Sequence, residues 1–123
     1  MKYLILIHSN PQPWGHPTMD FTEIGRTVPQ DERDAMNKEF EERLNALSAS
    51  GELISGQALG PADGAKVYRM EGRRRVTTDG PYAEAKEHLA GFFLIDVASQ
   101  ERAEAIAELF ASPGDTIELR STM

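Results

Sequence analysis

The sequence predicts an α+β domain in which two amphipathic helices pack on one face of a β-sheet, and three observations predict it. Apolar, β-branched runs and helical periodicities follow one another in the order strand, helix, strands, strand, helix, strand. A hairpin pattern is inserted in the middle of that order. The two best strands are apolar on both faces. The order is that of a ferredoxin-like βαββαβ unit, and 123 residues suit a single domain spanning the whole chain, 1–123.

The first strand is Lys2 to His8, around the run YLILI. After it, SNPQPWGHP opens a loop, because proline repeatedly removes the backbone donor that a helix or sheet needs. The loop extends to about residue 27, long for a compact domain, and long ordered loops are often binding loops or lids. Trp14 and His16 are its candidates for covering a cavity; the alternative is an exposed loop pinned by its tryptophan.

A helix is expected from near Thr27, whose hydroxyl is placed to cap it with Gln30 three residues on, to Ser50, with Gly51 as the stop. Met36, Phe40, Leu44 and Leu47 form one apolar stripe and are assigned to the core. Glu52 to Leu59 reads as a strand broken by Gly56, and GPADG from residue 60 as a turn. Ala65 to Met70 and Arg75 to Thr78 read as a hairpin around Glu71 and Gly72. DGPYAEAKEHLAG, Asp79 to Gly91, then leads into the strand FFLIDV, Phe92 to Val97. Ser99 caps a second helix whose Ala103, Ile106, Ala107 and Phe110 keep the i, i+3, i+4, i+7 pattern until Pro113 and Gly114. Thr116 to Arg120 is the last strand.

With both helices on one sheet face, the other face of a monomer should be polar. Instead Tyr3, Ile5 and Ile7 oppose Leu4, Leu6 and His8, and Phe92 and Leu94 oppose Phe93, Ile95 and Val97. Leaving about five large side chains in water at roughly 1.5 to 3 kcal/mol each would forfeit on the order of 10 kcal/mol, comparable with the stability of a domain. A second copy of the same chain is the simplest cover, so a homodimer is expected.

Composition narrows the function classes. The chain has no cysteine, which rules out disulfides, thiolate metal sites and thiol nucleophiles, and the cytoplasm is the expected compartment. YLILI is too short for a membrane span or a signal peptide, so no membrane association is expected. A net charge of −7 disfavours direct nucleic-acid binding. The basic cluster Arg73 to Arg75 beside Gly72 reads as a solvated hairpin turn. There is no GxGxxG, no P-loop and no GxSxG, so no nucleotide or other cofactor is expected.

Chemistry-bearing side chains concentrate in the segment from Asp79 to Gly91. Asp79 is placed to accept from backbone donors two residues on, Gly80 tolerates positive φ, and Pro81 stiffens the turn. Tyr82, Glu84, Lys86, Glu87 and His88 follow within seven residues. A helical turn over 83–88 would set Glu84 and His88 one turn apart, a spacing that serves an acid/base pair, a metal ligand pair or a surface ion pair. No HExxH completes a metal set, and no metal site is assigned. His8, ending the first strand, and Asp96, interrupting the later one, are further acid/base candidates, the alternative for each being a solvated strand end.

The stretch TDGPYAEAKEHLAGFFLIDV resembles the hallmark of the DGPF proteins, with Tyr82 in place of their phenylalanine and Ala85 in place of a threonine. MKYLILI, GELISGQAL and IELRS extend the likeness over nearly the whole chain. The resemblance identifies a member of the YCII-related group and implies a dimeric α+β barrel, two ferredoxin-like units joined sheet to sheet. A histidine and aspartate pair proposed for that group has its histidine on the first helix, where this chain offers Met36, Asn37 and Lys38, so the pair does not carry over. The resemblance also implies an association with extracytoplasmic-function sigma factors.

Two functional expectations follow. In one, the chain is a small cofactor-independent enzyme or small-molecule binder with a pocket between helix face, sheet and DGPY loop; Asp79, Glu84 and His88 are its acid/base groups, and His8, Tyr82 and Lys86 bind the substrate. In the other, it is a noncatalytic regulatory or interaction module. A third possibility is that the segment only stabilises a dimer.

Overall fold

The computed structural model describes residues 1–83 and 85–123. The strands are β1 (Lys2–Ser9), β2 (Leu53–Ala58), β3 (Lys66–Glu71), β4 (Arg74–Asp79), β5 (His88–Asp96) and β6 (Thr116–Ser121); the helices are α1 (Glu23–Arg26), α2 (Gln30–Ser50) and α3 (Gln100–Phe110). Four strands form one antiparallel sheet in the order β2-β5-β1-β6, while β3 and β4 make a separate hairpin. With the hairpin set aside, the chain is the expected ferredoxin-like βαββαβ unit.

α2 and α3 lie on one face of the sheet. Tyr3, Ile5, Ile95 and Val97 from the central strands meet Leu47 of α2 and Ala103, Ile106 and Phe110 of α3. Ile5 and Ile95 are fully buried, and each such side chain stabilises the fold by roughly 1.5–3 kcal/mol. The four α3 residues expected at i, i+3, i+4 and i+7 are all buried, and the Ser99 hydroxyl accepts from the Arg102 N–H at 3.1 Å. Gly51 ends α2 at φ +83°, a left-handed conformation that an L side chain adopts only at a cost.

Several boundaries differ from expectation. α2 begins at Gln30 rather than near Thr27: Pro29 cannot donate a hydrogen bond and suits the position before the first turn, while Thr27 closes α1, its hydroxyl donating to Ile24 O at 2.6 Å. β2 runs unbroken through Gly56, because the Phe93 ring occupies the space that a Cβ there would take. β5 starts at His88, four residues early, pairing with Ser9 across an irregular register. The long loop contains a 3-10 turn (Thr18–Phe21) as well as α1, and Gln12 N donates to Phe21 O at 2.7 Å.

Leu4, Leu6, Phe92 and Leu94 lie on the far face of the sheet, half-buried, flanked by Glu118 and Arg120 on β6. This is the two-faced pattern expected from the alternation. A bidentate pair ties α3 to the chain just before β2: Arg102 Nε and Nη2 donate to Glu52 Oε2 and Oε1 at 2.8 and 2.9 Å. The Arg102 guanidinium holds the Glu52 carboxyl below the usual range, and Glu52 in turn raises Arg102. Among the described residues, no helix is long and apolar enough to cross a membrane.

Candidate functional site

A cavity of about 480 Å³ opens between α2, the β2–β5 side of the sheet and the long loop after β1. That volume suits a small organic molecule. The Met36–Leu47 stripe explains its position: Leu47 is buried in the core, whereas Met36 and Phe40, two turns and more toward the helix start, line the cavity. The stripe assigned wholly to the core is therefore shared between core and cavity. Phe40, Phe93 and Phe110 make an aromatic floor, with Phe40 edge-on to Phe110 at 5.3 Å between centroids and Phe93 5.2 Å from Phe110.

The sheet side of the wall is shaped by a bulge. Ile7 pairs with Gly91 and His8 with Leu89, so Ala90 is the extra residue of β5, and it is fully buried against the cavity. Gly91 passes close to β2, where an added Cβ would lie 2.9 Å from Gln57 O. The loop supplies the opposite wall with His16, Pro17, Thr18 and Met19. Trp14 anchors it, its indole N–H donating to Leu59 O at 2.9 Å. Of the two residues expected to cover a cavity, His16 is in the wall and Trp14 is not; Trp14 pins the loop instead.

The polar end is built by a turn. Ser112, Pro113, Gly114 and Asp115 close with Asp115 N donating to Ser112 O at 3.0 Å, Pro113 presetting φ and Gly114 at φ +90°. The turn docks so closely on the loop that a Cβ on Gly114 would overlap the Thr22 hydroxyl. It delivers Asp115 to the cavity wall, where Oδ2 accepts from Thr18 Oγ1 at 2.6 Å and from Ser112 Oγ at 3.0 Å. Oδ1 is buried without a hydrogen-bond partner. Among the described residues that line the cavity there is no Lys or Arg, and His16 is a basic side chain there.

The described residues expected to carry the chemistry lie elsewhere. Asp79 ends β4, exposed and ion-paired with Lys66 across the hairpin. It makes no turn bond two residues on, because that residue is Pro81, which has no N–H; Gly80 N instead donates to Ala65 O at 2.7 Å. Tyr82 is exposed with the Arg69 guanidinium 6.0 Å from its ring centre, and Lys86 is exposed. His88 is the first residue of β5, and no helical turn is present at the described residues of 83–88; Glu84 lies outside the described residues. Neither Asp79, Tyr82, Lys86 nor His88 lines the cavity.

His8 stands on the far face of the sheet, its Nε2 3.0 Å from Glu118 Oε1. Beside them the Thr116 hydroxyl donates to Glu87, 2.9 Å from Oε2. Asp96 accepts from the Met1 ammonium at 3.0 Å. Arg73, Arg74 and Arg75 are all exposed, as a solvated turn requires. Among the described residues, no group of three or more His, Asp or Glu is arranged to hold a metal.

Comparison with known families decides the affiliation: a YCII-related domain is matched over residues 1–112. The chain belongs to the YCII-related family. A curated relative, an uncharacterised protein of Rhizobium meliloti (strain 1021), is 39% identical over 77 residues, and the match takes in 56% of this chain and 62% of that protein's length. In this YCII-related chain, Thr18 and Ser112 fall within the matched residues and Asp115 beyond them.

Sequence reasoning missed Asp115 and Thr18. The Ser-Pro-Gly-Asp turn was visible only as the end of a helix, and a lone aspartate in such a turn reads as a turn former.

Proposed function

We propose that this YCII-related domain is a homodimeric small-molecule binder whose ligand occupies the cavity between α2, the sheet and the loop after β1. The observation that carries the reading is the cavity itself, apolar and aromatic along its length and ending at Asp115, Thr18 and Ser112. The far-face strip of Leu4, Leu6, Phe92 and Leu94 supports the second subunit, since a patch of this kind is normally covered. A panel of small neutral aromatic compounds tests the cavity. Binding should raise the melting temperature and be weakened by Met36→Trp, which fills the cavity from its exposed rim; a panel without effect on either protein refutes the reading.

A second reading, a cofactor-independent enzyme, is favoured by the His8–Glu118 pair, an imidazole and a carboxylate at proton-sharing distance on the face where the partner would sit. The acid/base role expected of Asp79, Glu84 and His88 has less support, because Asp79 is engaged by Lys66 and neither Asp79 nor His88 lines the cavity. Turnover lost in His8→Asn with dimerisation intact would establish the enzyme. The exposed Tyr68, Met70 and Tyr82 around the hairpin support the competing idea of a noncatalytic interaction module. That idea requires a stoichiometric protein partner lost on Tyr68→Ser/Met70→Ser, with ligands irrelevant.

A further inference from the structure

The β3–β4 hairpin stands apart from the rest of the fold. Its strands pair in register from Lys66 opposite Asp79 to Glu71 opposite Arg74, but they form a sheet of their own and, among the described residues, make little contact with the four-stranded sheet or the helices. Only Val67 and Val76 are half-buried; every other residue of the two strands is exposed. A two-stranded hairpin is marginal in water and needs a third strand or a packed face to be stable. Its two faces differ. Val67, Arg69 and Val76 share one, with the Arg69 guanidinium over the Tyr82 ring, and the other carries Tyr68 and Met70, 73% and 55% exposed, opposite Thr77 and Arg75. The hairpin is also the basic element of an acidic chain: Lys66, Arg69, Arg73, Arg74 and Arg75 stand against Glu71 and Asp79 alone, where the whole chain has a net charge of −7. The outer sides of the helices carry exposed carboxylates, among them Glu32, Asp34, Glu41 and Glu42 on α2 and Glu104 and Glu108 on α3.

We infer that the hairpin is an arm that packs its Tyr68 and Met70 face on a second copy of this chain, with its arginines against that copy's carboxylates. The inference rests on the homodimer reading and adds a second contact to the far-face strip. Charge complementarity selects the occupant, because a copy of this acidic chain presents an excess of carboxylates to a basic arm. Two-fold symmetry makes the exchange reciprocal, so each hairpin gains the cover that its own subunit does not give it. Lys66, Arg69, Arg74 and Arg75 along the strands disfavour pairing edge to edge, whereas a tyrosine beside a methionine is a face suited to burial in an interface.

The chain has no cysteine, so Thr77→Cys gives a single labelling position beside Tyr68, to which a benzophenone maleimide is attached. Irradiation of an equilibrated mixture of light and heavy-nitrogen chains should give products of twice the chain mass whose cross-linked peptides join the two isotopes. Tyr68→Ser with Met70→Ser, and separately Arg73→Glu with Arg75→Glu, should each weaken the dimer about tenfold or more in sedimentation equilibrium, and added salt should weaken the parent dimer more than the charge-reversed one. The cross-link is read on a chain that keeps Tyr68, Met70 and the arginines, so it stands even if those variants fail to fold. Cross-links confined to one chain, in a parent that sediments as a dimer, overturn the inference and leave the far-face dimer standing, as does a dimer indifferent to both variants. If that indifferent dimer is held on heparin by its arginines, the occupant of the basic face is a polyanion and the inference is equally overturned. A monomeric parent removes both the inference and the dimer on which it rests.

Discussion

Thr18 donates its hydroxyl proton to Asp115 Oδ2 at 2.6 Å, joining the loop after β1 to the turn before β6 across 97 residues of sequence. Thr18 is itself buried, so the bond is made away from water and to a carboxylate. Thr18→Val keeps the shape and removes the donor, and should cost about 1–3 kcal/mol in urea unfolding. Thr18→Ser, which keeps the hydroxyl, should recover most of it.

Gly114 is a second support of the same turn. An alanine there would meet a φ of +90° and the Thr22 hydroxyl together. Gly114→Ala should therefore destabilise by more than about 1 kcal/mol, the usual conformational cost alone. Gly64, which has open space and an ordinary φ, is the control: Gly64→Ala should leave the melting temperature nearly unchanged.

The Glu52–Arg102 pair makes stability depend on pH in one direction. Because Arg102 holds the folded Glu52 carboxyl below its ordinary range, the pair's contribution is fully present above the unfolded value of about 4.3 and is lost as pH falls through the lower folded value. Both partners are partly exposed, so the contribution is about 0.5–1 kcal/mol. Glu52→Gln should be less stable than the parent by that amount at pH 7, and in denaturant titrations the two should converge as the pH falls through the lowered folded value.

The far face of the sheet sets the assembly prediction. Leu6 and Leu94 are half-buried there and make no part of the helix-side core. Leu6→Glu with Leu94→Glu should turn a dimer into a monomer by sedimentation velocity at micromolar concentration, with far-UV circular dichroism preserved. A parent that sediments as a monomer would refute the dimer.

Trp14 is the chain's single tryptophan, and its indole donates to Leu59 O. Its fluorescence therefore reports the loop. Trp14→Phe should cost about 0.5–1.5 kcal/mol for the lost bond and should weaken binding of the neutral aromatic panel, because the loop it pins carries one wall of the cavity.

The fold was legible because its signals are local. The α3 pattern from Ala103 to Phe110, the Ser99 cap and the Gly51 stop depend on residues within a turn or two, and all three stand as expected. The two-faced alternation of β1 and β5 likewise pointed to an apolar far face. Boundaries failed where a neighbour in space intervened: the Phe93 ring let β2 continue through Gly56, and pairing with Ser9 drew His88 into β5. The site was the least legible part. The density of ionisable groups from Asp79 to His88 drew attention to an exposed hairpin end, whereas Asp115, Thr18 and Ser112 are single polar residues in unremarked turns.

By itself, the sequence determined the order of elements, the Ser99 cap and the Gly51 stop, the inserted hairpin and a sheet with apolar residues on both faces, since periodicity and turn chemistry act over a few residues. Only the tertiary structure decided that Met36 and Phe40 of α2 line a cavity, that the bulge at Ala90 and the Trp14 anchor shape its walls, and that Asp115 stands at its end with one oxygen unmatched. Those outcomes depend on strand register and on the path of a long loop, which bring residues about a hundred positions apart within hydrogen-bond distance, and no local pattern records such a meeting.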